Sequence, residues 1–171
     1  MTATTSTLAA ERADLLELLQ TSRHFLRFTV QGLTDEQARE RTTVSELTLG
    51  GLIKHAAHVE TGWARFVLRG PEAMVMDAAA YAAHAESFRL LPDMTLAGVL
   101  AHYEEVAART DELVRTLDLD ASFPLPEAPW TPPGAHQSVR GTFLHIAAET
   151  AQHAGHADIL RESLDGRKTM G

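Results

Sequence analysis

Nine histidines and no cysteine in 171 residues limit the chemistry open to this chain. Without cysteine there is no disulfide, no thiolate nucleophile, and no thiolate-held zinc or iron–sulfur centre. Histidine and the carboxylates are left as candidate ligands and acid–base groups. Two groups of them have helical spacing: His55-Ala56-Ala57-His58, and the series His145, Glu149, His153, His156. A helix advances about 100° per residue, so Ile146, Leu160 and Leu164 project within roughly 20° of His153. Glu149 projects about 40° to one side, still on the apolar face, with His145 and His156 nearer its edge at about 80° and 60°. On the earlier segment His55 projects inside the arc of Val59, Trp63 and Phe66, and His58 at its border.

A glutamate on a core face is the anomaly. An unpaired buried carboxylate costs several kcal/mol and needs a proton or a cation. The residues three and four positions from Glu149 are His145, Ile146, Gln152 and His153, with no Lys or Arg among them. A divalent metal held by His55, Glu149 and His153 would supply the charge, since i,i+4 residues stack on one helix face. Two histidines and one carboxylate suit zinc, and also nickel, manganese or iron(II); three protein ligands leave positions open for chemistry. The plainer alternative is a set of packed core histidines with an ordinary Glu–His i,i+4 contact. His24, His84, His102 and His136 read as surface or loop residues, His136 lying just before the last helix.

Helices must position these groups. Leu8, Leu15, Leu19 and Leu26 mark a first helix over about 8–30, and Thr34 to Gln37 reads as a capping box opening a short turn to about Arg41. A second long helix is expected from Thr48 to about Leu68, on Leu52, Ala56, Val59, Trp63 and Phe66. A long connection over 72–94 follows, with a short helix over 78–88. Thr95 caps a third helix with the regular face Leu96, Val99, Tyr103, Val106, Thr110 and Val114. Residues 118–137 form a crossover holding five of the seven prolines and Trp130. Ser138 caps a last helix over about 139–164, closed by Asp165-Gly166. No strand pattern is evident. The expectation is an all-α, single-domain four-helix bundle with two long connections, spanning 1–171 with an ordered core over about 6–166. The metal site is expected inside the bundle towards one end, and the crossover, with Trp130, is placed as a wall or lid over it.

Composition agrees with an ordinary globular domain: 44% hydrophobic and 22% charged residues, with net charge −8. That charge disfavours nucleic-acid phosphates and anionic lipid as partners. Apolar runs are too short to span a membrane, and residues 1–7 lack the pattern of a secretory leader, so a cytoplasmic location is expected.

The segments Leu52-Ile53-Lys54-His55-Ala56-Ala57-His58-Val59-Glu60-Thr61-Gly62-Trp63 and Glu149-Thr150-Ala151-Gln152-His153-Ala154-Gly155-His156-Ala157-Asp158-Ile159-Leu160-Arg161-Glu162 together resemble the DinB-like four-helix-bundle superfamily. The likeness runs from the first helix to Gly166. It implies a divalent metal, often zinc or nickel, held by one histidine of the second helix and two ligands of the last. Matched by position these are His55, Glu149 and His153, and the Glu-x3-His pattern is similar to that of mycothiol-dependent maleylpyruvate isomerases. Those isomerases carry a further C-terminal domain, so thiol transfer is expected here rather than isomerisation. The resemblance implies a metal-dependent S-transferase that presents a low-molecular-weight thiol, mycothiol or bacillithiol, as a metal-bound thiolate to small electrophiles. His58 and His156 are then candidates to orient a ligand or relay a proton, Arg161 to meet an anionic substrate group, and Trp130 to close the cleft. Members are often homodimers, and a homodimer is expected. The alternative is a non-enzymatic metal-binding or stress-associated dimeric bundle.

Overall fold

The computed structural model describes residues 2–75, 77–128 and 131–169, and these are mostly helical. In chain order the elements are α1 (Thr2–Phe28), α2 (Asp35–Arg39), α3 (Leu49–Arg69), a 3-10 turn (Gly70–Ala73), α4 (Ala78–Ser87), α5 (Leu96–Thr116), β1 (Ser122–Pro124), β2 (His136–Ser138) and α6 (Val139–Asp165). Side-chain caps fix most of the helix starts. Thr34, Thr48, Asp77, Thr95 and Ser138 each accept a backbone N–H three residues ahead, which satisfies donors that the helix itself leaves free. Thr34 and Gln37 complete a reciprocal capping box. Gly166 ends α6 in the left-handed region at φ 79°.

Two details differ from the sequence expectation. Helix α1 starts at Thr2 rather than near Leu8, because residues 2–7 hold no apolar side chain larger than alanine and so carry no periodic signal. The crossover, expected to be irregular, contains a small antiparallel pair in which Ser122 faces Ser138, Phe123 faces Gln137 and Pro124 faces His136. Three residues are too few for a period of two to show in the sequence.

The four long helices pack around two apolar clusters. One joins Leu26 of α1, Leu52 and Ile53 of α3, Val99 and Tyr103 of α5, and Ala157 and Leu160 of α6. The other joins Leu15 and Leu19, Phe66 and Val67, Val114, and Phe143 and Ile146 of the same helices. Read along the chain, α1 and α6 run from the second cluster to the first, while α3 and α5 run the other way. The 70–95 connection therefore travels the length of the molecule, carrying α4 with it.

A polar layer lies between the clusters, and each long helix contributes to it: Arg23 from α1, Glu60 from α3, Thr110 from α5 and Thr150 from α6, all buried. Arg23 donates to both oxygens of Glu60, at 3.2 and 2.6 Å, and to Asp111 at 2.7 Å. This bidentate geometry satisfies a carboxylate that is 0% exposed. Removing one partner leaves the other as an uncompensated buried charge. Arg23→Ala and Glu60→Ala are each expected to lower unfolding free energy by about 3–5 kcal/mol, read by urea denaturation. A paired Arg23→Met, Glu60→Leu replacement should recover most of that loss. A single-variant cost under about 1 kcal/mol would show the pair to be dispensable.

Candidate metal centre

Helix α3 delivers His55 and helix α6 delivers Glu149 and His153. One potential ligand atom from each of these three residues lies within 4.8 Å of the other two. His55 Nε2 is 3.7 Å from Glu149 Oε1, and His153 Nε2 is 4.0 Å from the same oxygen. Donors about 2.1 Å from a tetrahedral zinc stand about 3.4 Å apart. Small side-chain rotations would close the gap.

The hydrogen bonds around His55 sharpen the test of the donor set. Its Nδ1 lies 2.8 Å from Ser87 Oγ, and the Ser87 hydroxyl is 2.5 Å from the His84 carbonyl oxygen. A hydroxyl has one proton, and the carbonyl can only accept it. The chain of bonds therefore assigns the donor role to His55 Nδ1–H. In the neutral ring Nε2 then carries a bare lone pair aimed at a carboxylate oxygen, an arrangement that calls for a proton or a cation between them. A histidine ligand whose second nitrogen donates to an oxygen is a common outer support of a metal site. The Phe88 ring stacks on His55 with centroids 3.7 Å apart, which fixes the imidazole plane.

Glu149 divides its two oxygens. Oε2 is 3.2 Å from His145 Nε2, while Oε1 faces His55 and His153. Burial works to raise the Glu149 carboxyl, but a hydrogen bond from His145, and one from His55 when its Nε2 carries a proton, outweigh it and hold the group at about 2. The carboxylate is thus ionised over the physiological range. His153 is lowered by burial and by its neighbour His55. His58 and His84 are lowered as well, mainly by burial and then by nearby histidines.

A cleft of about 1600 Å³ opens beside Glu149 along the α3–α5 side, walled by His58, His84, His102 and His145 and by Leu125, Pro126, Thr131 and Pro132 of the crossover. Its lining runs along α3 and α5 and reaches the middle of α6 at His145 and Glu149. Trp130 lies outside the described residues. His156 is exposed on α6, its Nδ1 3.4 Å from that of His153. Arg161 is buried and committed elsewhere: its guanidinium donates to the carbonyl oxygens of Thr29 and Gln31 and to Asp165. It ties down the end of α1, so the expectation of an anion-binding role does not match its place in the fold. His136 is exposed in β2, while His24 and His102 are exposed on α1 and α5.

Sequence reasoning missed Ser87, Phe88, His84 and the role of His145. Three of these sit on or beside α4, whose alanine-rich sequence has no marked apolar face. The signal lay instead in Gly50-Gly51 opening α3. A Cβ on Gly51 would stand 1.9 Å from the Phe88 carbonyl oxygen, so only glycine lets this connection approach His55.

A family model that covers most of the chain places it in the DinB-like superfamily. Within it, residues 14–166 match the family model described as mycothiol-S-transferase, and the chain belongs to that family. No curated relative matches the chain.

Ser87→Ala removes the acceptor that orients His55. It is expected to weaken zinc binding about 10–100-fold, measured by competition with a chromophoric chelator, with Ser87→Thr recovering part of the loss. Unchanged affinity in Ser87→Ala would remove Ser87 from the support of the site.

Proposed function

We propose that the chain is a metal-dependent S-transferase that joins a low-molecular-weight thiol, mycothiol by family, to a small electrophile. The convergence of His55, Glu149 and His153 on the wall of an open cleft carries this reading. The long helices then constitute a DinB-like four-helix bundle, with the centre held between the second and last of them. Zinc suits the donor set, and His55, Glu149 and His153 would hold it. Bound there, a divalent metal supplies the Lewis acidity that lowers the pKa of a thiol.

The chain's own residues do the positioning. Ser87 and Phe88 hold the His55 ring in place, and His145 holds the outer oxygen of Glu149 so that the inner one faces the centre. His58 and His84 present ring nitrogens to the cleft as hydrogen-bonding groups for the thiol-bearing substrate. Leu125, Pro126, Thr131 and Pro132 of the crossover form part of the cleft wall. The reaction needs no oxidant or reductant. The sulfur–carbon bond forms, and with a conjugated alkene the thiol proton ends on the neighbouring carbon. With an alkyl halide, halide leaves and the proton is released.

The test is thioether formation from mycothiol and a neutral bimane alkyl halide by the zinc-loaded protein. Chelation should abolish turnover and added zinc restore it. His153→Ala should lower kcat/KM roughly 100-fold or more while retaining helicity. Absence of mycothiol turnover with any divalent metal, or full activity in His153→Ala, would overturn the proposal.

A further inference from the structure

The cleft is large: pockets for small molecules commonly hold about 300–1,000 Å³, against about 1600 Å³ here. Much of its wall is apolar, built by Trp63, Met74, Val75, Tyr81, Leu125 and Pro126. Val75 and Tyr81 are 59% and 50% exposed, large apolar surface left open to solvent.

Three cationic side chains line the same space, and two of them are engaged. Lys54 donates to the carbonyl oxygens of Glu86 and Arg89, both at 3.2 Å. Arg109 donates to Glu105 at 3.2 Å. Arg65 has no carboxylate or carbonyl partner among the described residues. The acidic groups on the wall are Glu149, turned to the histidines, and Asp93, in the turn before α5. Lys54, His58, Thr61, Gly62 and Arg65 fall on one stripe of α3, so Arg65 continues the wall that begins beside His55. No side chain rises from that stripe at Gly62, where even a Cβ would meet nothing within 4 Å.

We infer that the second substrate is an elongated, mainly apolar electrophile with one anionic group, which Arg65 receives. This rests on the thiol-transfer reading of the neighbouring centre and adds the class of its partner. Arg65 follows His55 by ten residues on α3, a rise of about 15 Å. A molecule reaching from the centre to Arg65 is therefore on the order of 10–15 Å long. The apolar wall takes its body, and a planar guanidinium suits a terminal carboxylate by bidentate hydrogen bonding. Arg65 is exposed and has no hydrogen bond or ion pair among the described residues, so its replacement removes no such tie from the fold.

The test is direct binding, without thiol or metal, of a dansylated undecanoic acid and its methyl ester, read by dansyl fluorescence. The wild-type protein should bind the acid about tenfold or more tightly than the ester. Arg65→Gln should remove that preference by weakening the acid alone, and Arg65→Lys should restore part of it. Equal binding of acid and ester, no binding of the acid, or a preference that survives Arg65→Gln would overturn the inference. The mycothiol assay with a neutral halide tests the transferase reading separately, because neither its thiol nor its electrophile carries the group that Arg65 would hold.

Discussion

The Arg23–Glu60 ion pair is the constraint around which the fold is arranged. Two apolar clusters can slide past each other at little cost as long as greasy surface meets greasy surface. A buried guanidinium bonded to a fully buried carboxylate cannot, because a shift of one helical turn strands both charges. The pair locks α1 to α3, and Asp111 extends the lock to α5. The register of these helices sets the height of His55, five residues before Glu60. Helix α6 enters the same layer through Thr150, which places Glu149 and His153 at that height.

Orientation of the centre depends on a different part of the chain. The 70–95 connection runs back along the molecule because α3 and α5 point the same way. Its helix α4 ends against α3, where Gly51 leaves room for the Phe88 backbone. From there Ser87 and Phe88 fix the His55 ring in rotation and tautomer, and His84 stands edge-on to the same ring at 5.1 Å. The connection thus acts as a structural strap: the long helices bring the ligands together, and the strap decides which nitrogen of His55 faces the carboxylate.

Much of this was legible in the residues. Helical periodicity located α3, α5 and α6, and the caps at Thr34, Thr95 and Ser138 came from side-chain chemistry that acts locally. His55, Glu149 and His153 emerged because a carboxylate on an apolar face without a nearby Lys or Arg demands an explanation. Glu60 passed unnoticed although it is more deeply buried, since its partner Arg23 is distant in sequence and no local pattern announces the pair. Arg161 misled for the reverse reason: one turn beyond a histidine it looks available, yet its bonds go to carbonyl oxygens at the far end of α1. The direction of the helices was also beyond a one-dimensional pattern, because it follows from how the long connections pack.

The central claim is that His55, Glu149 and His153 together form one metal centre. The most direct measurement is X-ray absorption at the zinc edge of untagged protein loaded with one equivalent of zinc. Two imidazole nitrogens at about 2.0–2.1 Å and one carboxylate oxygen at about 2.0–2.2 Å, with the remaining shell from solvent, are the expected result. Zinc lost on desalting, or held by a shell of three imidazoles or of oxygens alone, would contradict it.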